Sequence, residues 1–198
     1  MLKEKIKLFI ICIFLIIISK NSFSIEPNIF VQSTVNRASQ ILSNDIPKIE
    51  KIEKLKIIAK DTVDIKGIGF YTLGKYRKEL TDAQKDQYNE LFQAYFLKSF
   101  SSRLAEYTNP KIDVQSQDKL NKNYTIVSSI LVATETRPEV KIQWRIYTKN
   151  PEKPMIRDLI IEGLSLARTQ KEEFSSIIQS SDGDIEVLFS SLKKFINN

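Results

Sequence analysis

The chain has 198 residues, of which 30 are lysine or arginine and 24 are aspartate or glutamate, so its formal net charge is +6. It contains no histidine and a single cysteine, Cys12, which excludes a Ser-His-Asp triad and a zinc site built from histidines. The mild positive charge does not indicate a nucleic-acid-binding surface, and we expect no nucleic-acid partner.

Residues 1–24 have the three parts of a secretory signal peptide. Three lysines precede an apolar run at residues 8–18, and the segment ends in Ser22-Phe23-Ser24, with small residues at the −3 and −1 positions. An uncleaved anchor is the alternative, but eleven apolar residues are fewer than the ~20 that span a bilayer. We therefore expect cleavage after Ser24 and an exported chain, residues 25–198, that forms one domain without cysteine.

The first half of this exported chain is predicted to be helical. Apolar residues recur at helical spacing over residues 28–43, and Pro47 is typical of the start of a helix, which would run to about Lys60. Thr81 and Gln84 have the spacing of a capping box, which predicts the start of a longer helix of about 26 residues.

The longer helix is rich in aromatic residues. Residues 80–107 contain six of them: Tyr88, Phe92, Tyr95, Phe96, Phe100 and Tyr107. At about 100° per residue, the apolar positions cover an arc of about 220°, more than the ~100° that one contact surface needs. A second layer of protein or a bound ligand must cover the rest. Geometry alone favours an ordinary core, although large rings can also hold an apolar pocket open.

Four strands are predicted at residues 111–116, 123–134, 140–148 and 155–162, and the short turns between them predict an antiparallel sheet. Apolar and polar residues alternate along the third strand, which should have one dry face and one wetter face. Asp182-Gly183-Asp184 predicts a turn that caps a last helix. The order of helices, then sheet, then helix predicts an α+β fold.

Two segments of the chain contain distinctive motifs. The first is LGKYRKELTDAQKDQYNELFQAYFLKSFSSRLAEY, and the second is RDLIIEGLSLARTQKEEFSSII. The first has a Leu-Gly motif and an aromatic–basic pair before a Thr-x-x-Gln helix start, then a phenylalanine-rich helix that ends in Leu-x-x-Tyr. The residues concerned in the two segments are Leu73-Gly74, Tyr76-Arg77, Thr81, Gln84, Phe92, Phe96, Leu104, Tyr107, Asp158, Glu162-Gly163, Ser165-Leu166 and Phe174. At these residues the chain resembles the MlaC family of periplasmic phospholipid-binding proteins, and the second segment is similar to the family's passage from a strand into a helix.

The resemblance implies helices packed on a twisted antiparallel sheet of about four strands, which enclose an apolar lipid cavity. It implies a periplasmic phospholipid carrier that maintains outer-membrane lipid asymmetry. Its partners would be phospholipid, an outer-membrane lipoprotein–porin complex and an inner-membrane ABC transporter complex. It implies no cofactor, metal or enzymatic activity.

Candidate lipid-binding residues come from the aromatic helix region, the sheet and the segment after the sheet. They are Tyr76, Phe92, Phe96, Phe100, Leu104, Ile142, Trp144, Ile146, Ile161, Leu164 and Leu166. Arg103 lies in the middle of the apolar arc, where it would either approach the lipid phosphate or extend to the surface. Two other functions stay open: an adaptor without small-molecule cargo, and a small enzyme on an apolar substrate with a carboxylate base.

Overall fold

The computed structural model describes residues 24–198, so the predicted signal peptide, apart from Ser24, lies outside the described residues. This part of the chain forms six α-helices, a short 3-10 helix and five strands. The helices are α1 (Pro27–Ser43), α2 (Lys48–Thr62), α3 (Ile65–Thr72), the 3-10 helix (Gly74–Lys78), α4 (Asp82–Leu104), α5 (Leu166–Gln179) and α6 (Ile185–Asn197). The strands are β1 (Ile112–Asn121), β2 (Tyr124–Leu131), β3 (Val140–Tyr147), β4 (Met155–Ile161) and β5 (Leu164–Ser165). None of the helices in residues 24–198 has the length and apolar character to cross a membrane.

The strands form one antiparallel sheet in the order β1-β2-β3-β4-β5, which confirms the predicted α+β class. Each strand pairs with the next along the chain because the connections are short. Strand β1 continues past the predicted end at residue 116 to Asn121. Its second half is exposed at the sheet edge, so its residues do not show the apolar alternation on which strand prediction depends. The two-residue strand β5 was not predicted.

Local capping signals place the starts of α4 and α6 where they were predicted, and α4 has 23 residues, against the predicted length of about 26. The Thr81 hydroxyl accepts a hydrogen bond from the backbone N–H of Gln84 at 3.2 Å, and the Gln84 side chain accepts one from the backbone N–H of Thr81 at 3.1 Å. The Asp184 carboxylate likewise accepts from the backbone N–H of Glu186 at 2.9 Å and begins α6. Each side chain satisfies an amide that the first helical turn leaves without a partner.

Helix α4 lies at the centre of the helical layer and packs against α2, α3 and α6. Its N-terminal half carries the solid core, in which the Tyr88 and Phe92 rings are stacked with centroids 5.7 Å apart. Phe174 of α5 meets Phe92 edge-on at 6.2 Å. Gly69 of α3 approaches the same ring so closely that an added Cβ would lie 2.8 Å from Phe92 Cδ1. The core on this side is therefore filled without space for another methyl group.

The junction between α2 and α3 is fastened to strand β4. Val63 forms a parallel bridge with Ile156, and the Asp64 amide donates to the Ile156 carbonyl at 2.9 Å. The Arg157 guanidinium then contacts the Asp64 carboxylate with Nε and Nη2 at 2.7 and 2.6 Å. We call these contacts the α3–β4 clasp. They hold one end of the helical layer against the sheet.

Aromatic neighbours support the arginine of the clasp. The Arg157 guanidinium lies 3.7 Å from the centroid of the Tyr147 ring and donates to the Tyr124 hydroxyl at 2.8 Å. Burial acts to lower the pKa of Arg157, but its hydrogen bonds with Tyr124 and Asp64 outweigh burial and raise that pKa above its ordinary value. The arginine therefore stays charged while it is partly removed from water.

Candidate functional site

Two adjoining cavities lie between helix α4 and the sheet. Within residues 24–198, α4 packs extensively on other helices, whereas the space between α4 and the strands holds cavities of about 440 and about 180 Å³. The larger volume is within the range of about 300–1,000 Å³ that is usual for ligand sites. The wide apolar arc of α4 is therefore covered by helices on one side and faces open space on the other.

The first and larger cavity has walls from α4, β3, β4, α5 and α6. Phe96 and Phe100 of α4 present stacked rings, with centroids 5.3 Å apart and an interplanar angle of 13°. Trp144 and Leu159 of the sheet lie among the other wall residues. These side chains leave an apolar chamber that runs beneath the C-terminal half of α4.

The second cavity is narrower and lies toward α1 and α2. Val35, Leu42 and Leu55 lie on its helical side, and Leu131 and Ile142 of the sheet are also among its wall residues. A wall of this composition stabilises an apolar ligand through dispersion contacts and by removing it from water. It provides few hydrogen bonds.

The two cavities share one wall. Phe100, Trp144, Ile156 and Leu166 line both of them. The Trp144 indole N–H donates to the Ser129 hydroxyl at 2.8 Å, which fixes the orientation of the ring. Because shared side chains form the boundary, a ligand with two apolar arms can occupy both cavities from one position.

The structure brings seven of the eleven predicted lipid-binding residues to the cavities. These are Phe96, Phe100, Leu104, Ile142, Trp144, Ile161 and Leu166. Tyr76, Phe92 and Ile146 are instead buried in the core, and none of them is a wall residue of either cavity. Leu164 is 59% exposed because it follows the tight turn at Glu162-Gly163, where both residues have positive φ.

Helices α1, α2 and α5 supply wall residues that the sequence interpretation did not include. They are Thr34, Val35, Ala38, Ser39, Leu42, Leu55, Ile58, Ala59, Thr62, Ala167, Thr169, Gln170 and Glu173. The periodicity over residues 28–43 correctly predicts an apolar face on α1. It does not show whether that face meets packed side chains or an open space, so it gave no signal for a cavity.

Polar groups surround the first cavity where β4 leads into α5. The buried Asp158 carboxylate accepts from the Ser165 hydroxyl at 2.6 Å and from the Ala167 amide at 3.0 Å, and it lies 3.4 Å from Arg145 Nη1. The contacts with Ser165 and Ala167 join the sheet to the start of α5, and the contact with Arg145 joins β4 to β3. Asp158 is thus a structural carboxylate that positions this end of the wall.

The Tyr95 hydroxyl donates to the Gln170 side-chain oxygen at 2.8 Å across the same cavity. Burial is the largest cause that raises the pKa of Tyr95, and the Glu173 carboxylate adds to it, while Gln170 and Arg103 act in the opposite direction. Tyr95 is therefore a neutral phenol at physiological pH, and its hydroxyl links α4 to α5.

The described residues do not include a cluster of side chains suited to a metal ion. No group of three or more Asp, Glu, His or Cys side chains within residues 24–198 is arranged to hold a metal ion. Two carboxylates line the first cavity. Asp158 is held by its contacts with Ser165, Ala167 and Arg145. Glu173 is exposed and accepts a hydrogen bond from the Gln170 side chain at 2.8 Å. The arrangement is suited to holding an apolar ligand.

Comparison with known proteins identifies the fold and the family of the chain. The structure is similar to that of a phospholipid-binding protein from Ralstonia solanacearum in complex with a phospholipid, with a TM-score of 0.73 over 87% of this chain and 98% of that one. The two chains are 18% identical in sequence, so this likeness shows a common fold. The model of the MlaC protein family matches residues 32–194. Because that match spans most of the chain, the protein belongs to the MlaC family.

Proposed function

We propose that the protein is a periplasmic carrier of phospholipids. The observation that carries this proposal is the pair of apolar cavities with one shared wall between α4 and the sheet. A diacyl phospholipid has two apolar arms joined at one point, which matches two cavities that meet. The phospholipid named for the Ralstonia solanacearum protein of the same fold supports this choice of ligand.

The energetics of lipid transfer explain why such a carrier needs enclosed cavities. Two acyl chains contain roughly 30 methylene groups, and burial of each contributes about 0.8 kcal/mol, so roughly 24 kcal/mol favours covered tails over tails in water. Release into water would be negligibly slow. The carrier therefore retains its lipid during diffusion and delivers it when docked on a partner that offers another apolar environment.

The family membership leads us to propose the membrane partners as well. The carrier would exchange lipid with an outer-membrane lipoprotein–porin complex and an inner-membrane ABC transporter complex, and so maintain the lipid asymmetry of the outer membrane. We further propose that residues 1–24 are removed as a signal peptide, that residues 25–198 act as one domain, and that no cofactor or enzymatic step is required.

The test is the composition of protein purified from the periplasmic fraction. Native mass spectrometry and lipid extraction are expected to give about one diacyl phospholipid per chain with mixed headgroups, and N-terminal sequencing is expected to begin at Ile25. An adaptor would be folded and reproducibly empty of lipid, which would contradict the carrier proposal. An enzyme would convert the extracted lipid to a product, and a carboxylate substitution would stop that conversion.

A further inference from the structure

Arg103 of α4 lies where the two cavities meet. Within residues 24–198 it is the one basic side chain that lines either cavity, and it lines both of them. It follows Phe100 by three positions on α4, so the two side chains lie on neighbouring positions of one helix face. Arg103 is nevertheless exposed overall. A long arginine side chain in such a place can cover apolar surface with its aliphatic stem and keep its guanidinium in water.

The guanidinium of Arg103 is available for a ligand. No hydrogen bond or ion pair joins it to another side chain in the described part of the molecule. The two carboxylates that line the first cavity have other partners, since Asp158 contacts Arg145 and Ser165, and Glu173 contacts Gln170. Arg103 is thus a cation beside an apolar chamber, and nothing in residues 24–198 neutralises it by direct contact.

We propose that Arg103 binds the phosphate group of the bound lipid, an inference that rests on the proposed function. In a diacyl phospholipid the two tails and the phosphate are all attached to one glycerol unit. With one tail in each cavity, the glycerol lies at the shared wall, and the phosphate lies within reach of the side chain that lines both cavities. The planar guanidinium forms paired hydrogen bonds with phosphate oxygens, a geometry that lysine does not reproduce.

If Arg103 binds the phosphate, the affinity of the protein should depend on the presence of a phosphate in the lipid and little on the headgroup attached to that phosphate. Every glycerophospholipid carries the phosphate, whereas the remaining headgroup extends into water. Diacylglycerol has the same tails and glycerol without the phosphate, so it isolates the contribution of Arg103. Because Arg103 is exposed, salt should weaken its contribution.

The single tryptophan provides the measurement. Trp144 lines both cavities, so its fluorescence reports their occupancy. Dioctanoyl phosphatidylglycerol and dioctanoylglycerol, which are short enough to be handled as dispersed molecules, are titrated into delipidated protein. For Arg103→Gln we expect about tenfold weaker binding of the phospholipid, which corresponds to about 1.4 kcal/mol, and binding of the diacylglycerol that is unchanged within about twofold. Arg103→Lys should give an intermediate value.

Arg77→Gln is the matched control, because Arg77 is an exposed arginine that lines neither cavity. The Arg77→Gln variant should bind both lipids as the wild type does. Equal loss of both lipids in Arg103→Gln, or no loss of either, would overturn the role of Arg103 and leave the carrier function standing. A wild-type protein that binds neither lipid would overturn both proposals. Sodium phosphate titrated alone should show no saturable binding by calorimetry, and Arg103-dependent binding of it would overturn the assignment to a lipid phosphate.

Discussion

Phe92 and Phe96 lie one turn apart on the same face of α4, but they have different surroundings. Phe92 is 2% exposed, and its ring lies within about 6.3 Å, centroid to centroid, of the rings of Tyr88, Tyr95, Phe96 and Phe174. Phe96 is half-buried and lines the first cavity. Substitutions at these two positions should therefore separate the stability of the fold from the binding of lipid.

The expected magnitudes follow from these surroundings. Phe92→Ala removes a ring from a filled core, which should lower the free energy of unfolding by about 3–5 kcal/mol. Phe96→Asp places a carboxylate in a cavity that water can enter when no lipid is bound, so the loss of stability should stay below about 2 kcal/mol. Against acyl chains the same unpaired charge costs several kcal/mol, and a cost of about 3 kcal/mol lowers lipid affinity roughly 100-fold.

The free energy of unfolding and the lipid occupancy are measured in separate experiments. Urea unfolding followed by circular dichroism is done on delipidated proteins, because a bound ligand adds its own stabilisation to the folded state. Native mass spectrometry of the proteins as purified gives the lipid occupancy. Phe96→Leu is the control, since it shortens the side chain without adding charge and should keep the lipid.

Two results would refute this reasoning. One is a folded Phe96→Asp variant with the lipid occupancy of the wild type, which would mean that acyl chains do not lie against this ring. The other is a loss of stability in Phe96→Asp as large as that in Phe92→Ala, which would mean that Phe96 belongs to the solid core.

Two further predictions concern the core around Phe92. Gly69→Ala should lower the free energy of unfolding by about 1–2 kcal/mol in urea titrations, because the cost of overpacking against the Phe92 ring outweighs the ~1 kcal/mol gain in helix propensity. The double variant Gly69→Ala with Phe92→Leu should recover part of that loss. Additive effects of the two substitutions would contradict the proposed clash. Burial raises the pKa of Tyr88 above its ordinary value of 10.0, so its contribution to stability is fully present below about pH 10 and is lost as the pH rises toward the folded-state pKa. Tyr88→Phe should therefore reduce the fall in urea midpoint above pH 10, and an unchanged alkaline slope would show that Tyr88 is not the group responsible.

The parts of the fold that were predicted correctly depend on local signals. The capping box at Thr81 and the aspartate turn at residues 182–184 act within one helical turn, and the strands follow from alternation and short connections. Helix α3 was missed because Gly67 and Gly69 lower its helix propensity. It forms because Asp64 caps it, with the Gly67 amide donating at 2.9 Å, and because Gly69 permits close packing on Phe92.

The division between core and cavity could not be read from the sequence. Phe92, Phe96 and Phe100 have the same residue type at the same helical spacing, yet the first is packed and the other two line open space. The difference depends on Phe174, which is distant in the sequence and fills the space beside Phe92. Which side chains arrive from other elements is a tertiary property, and the spacing of residues on one helix carries no information about it.

The α3–β4 clasp has a consequence for how the cavities open. Val63 and Ile156 form its backbone bridge, and both also line the two cavities. A movement that separates α2 and α3 from the sheet at this end must break the hydrogen bond from the Asp64 amide to the Ile156 carbonyl. The protection of that single amide against hydrogen exchange with solvent therefore reports the free energy of opening at this end of the molecule. Hydrogen exchange at the Asp64 amide, followed by NMR, is thus a probe of opening at this end of the cavities.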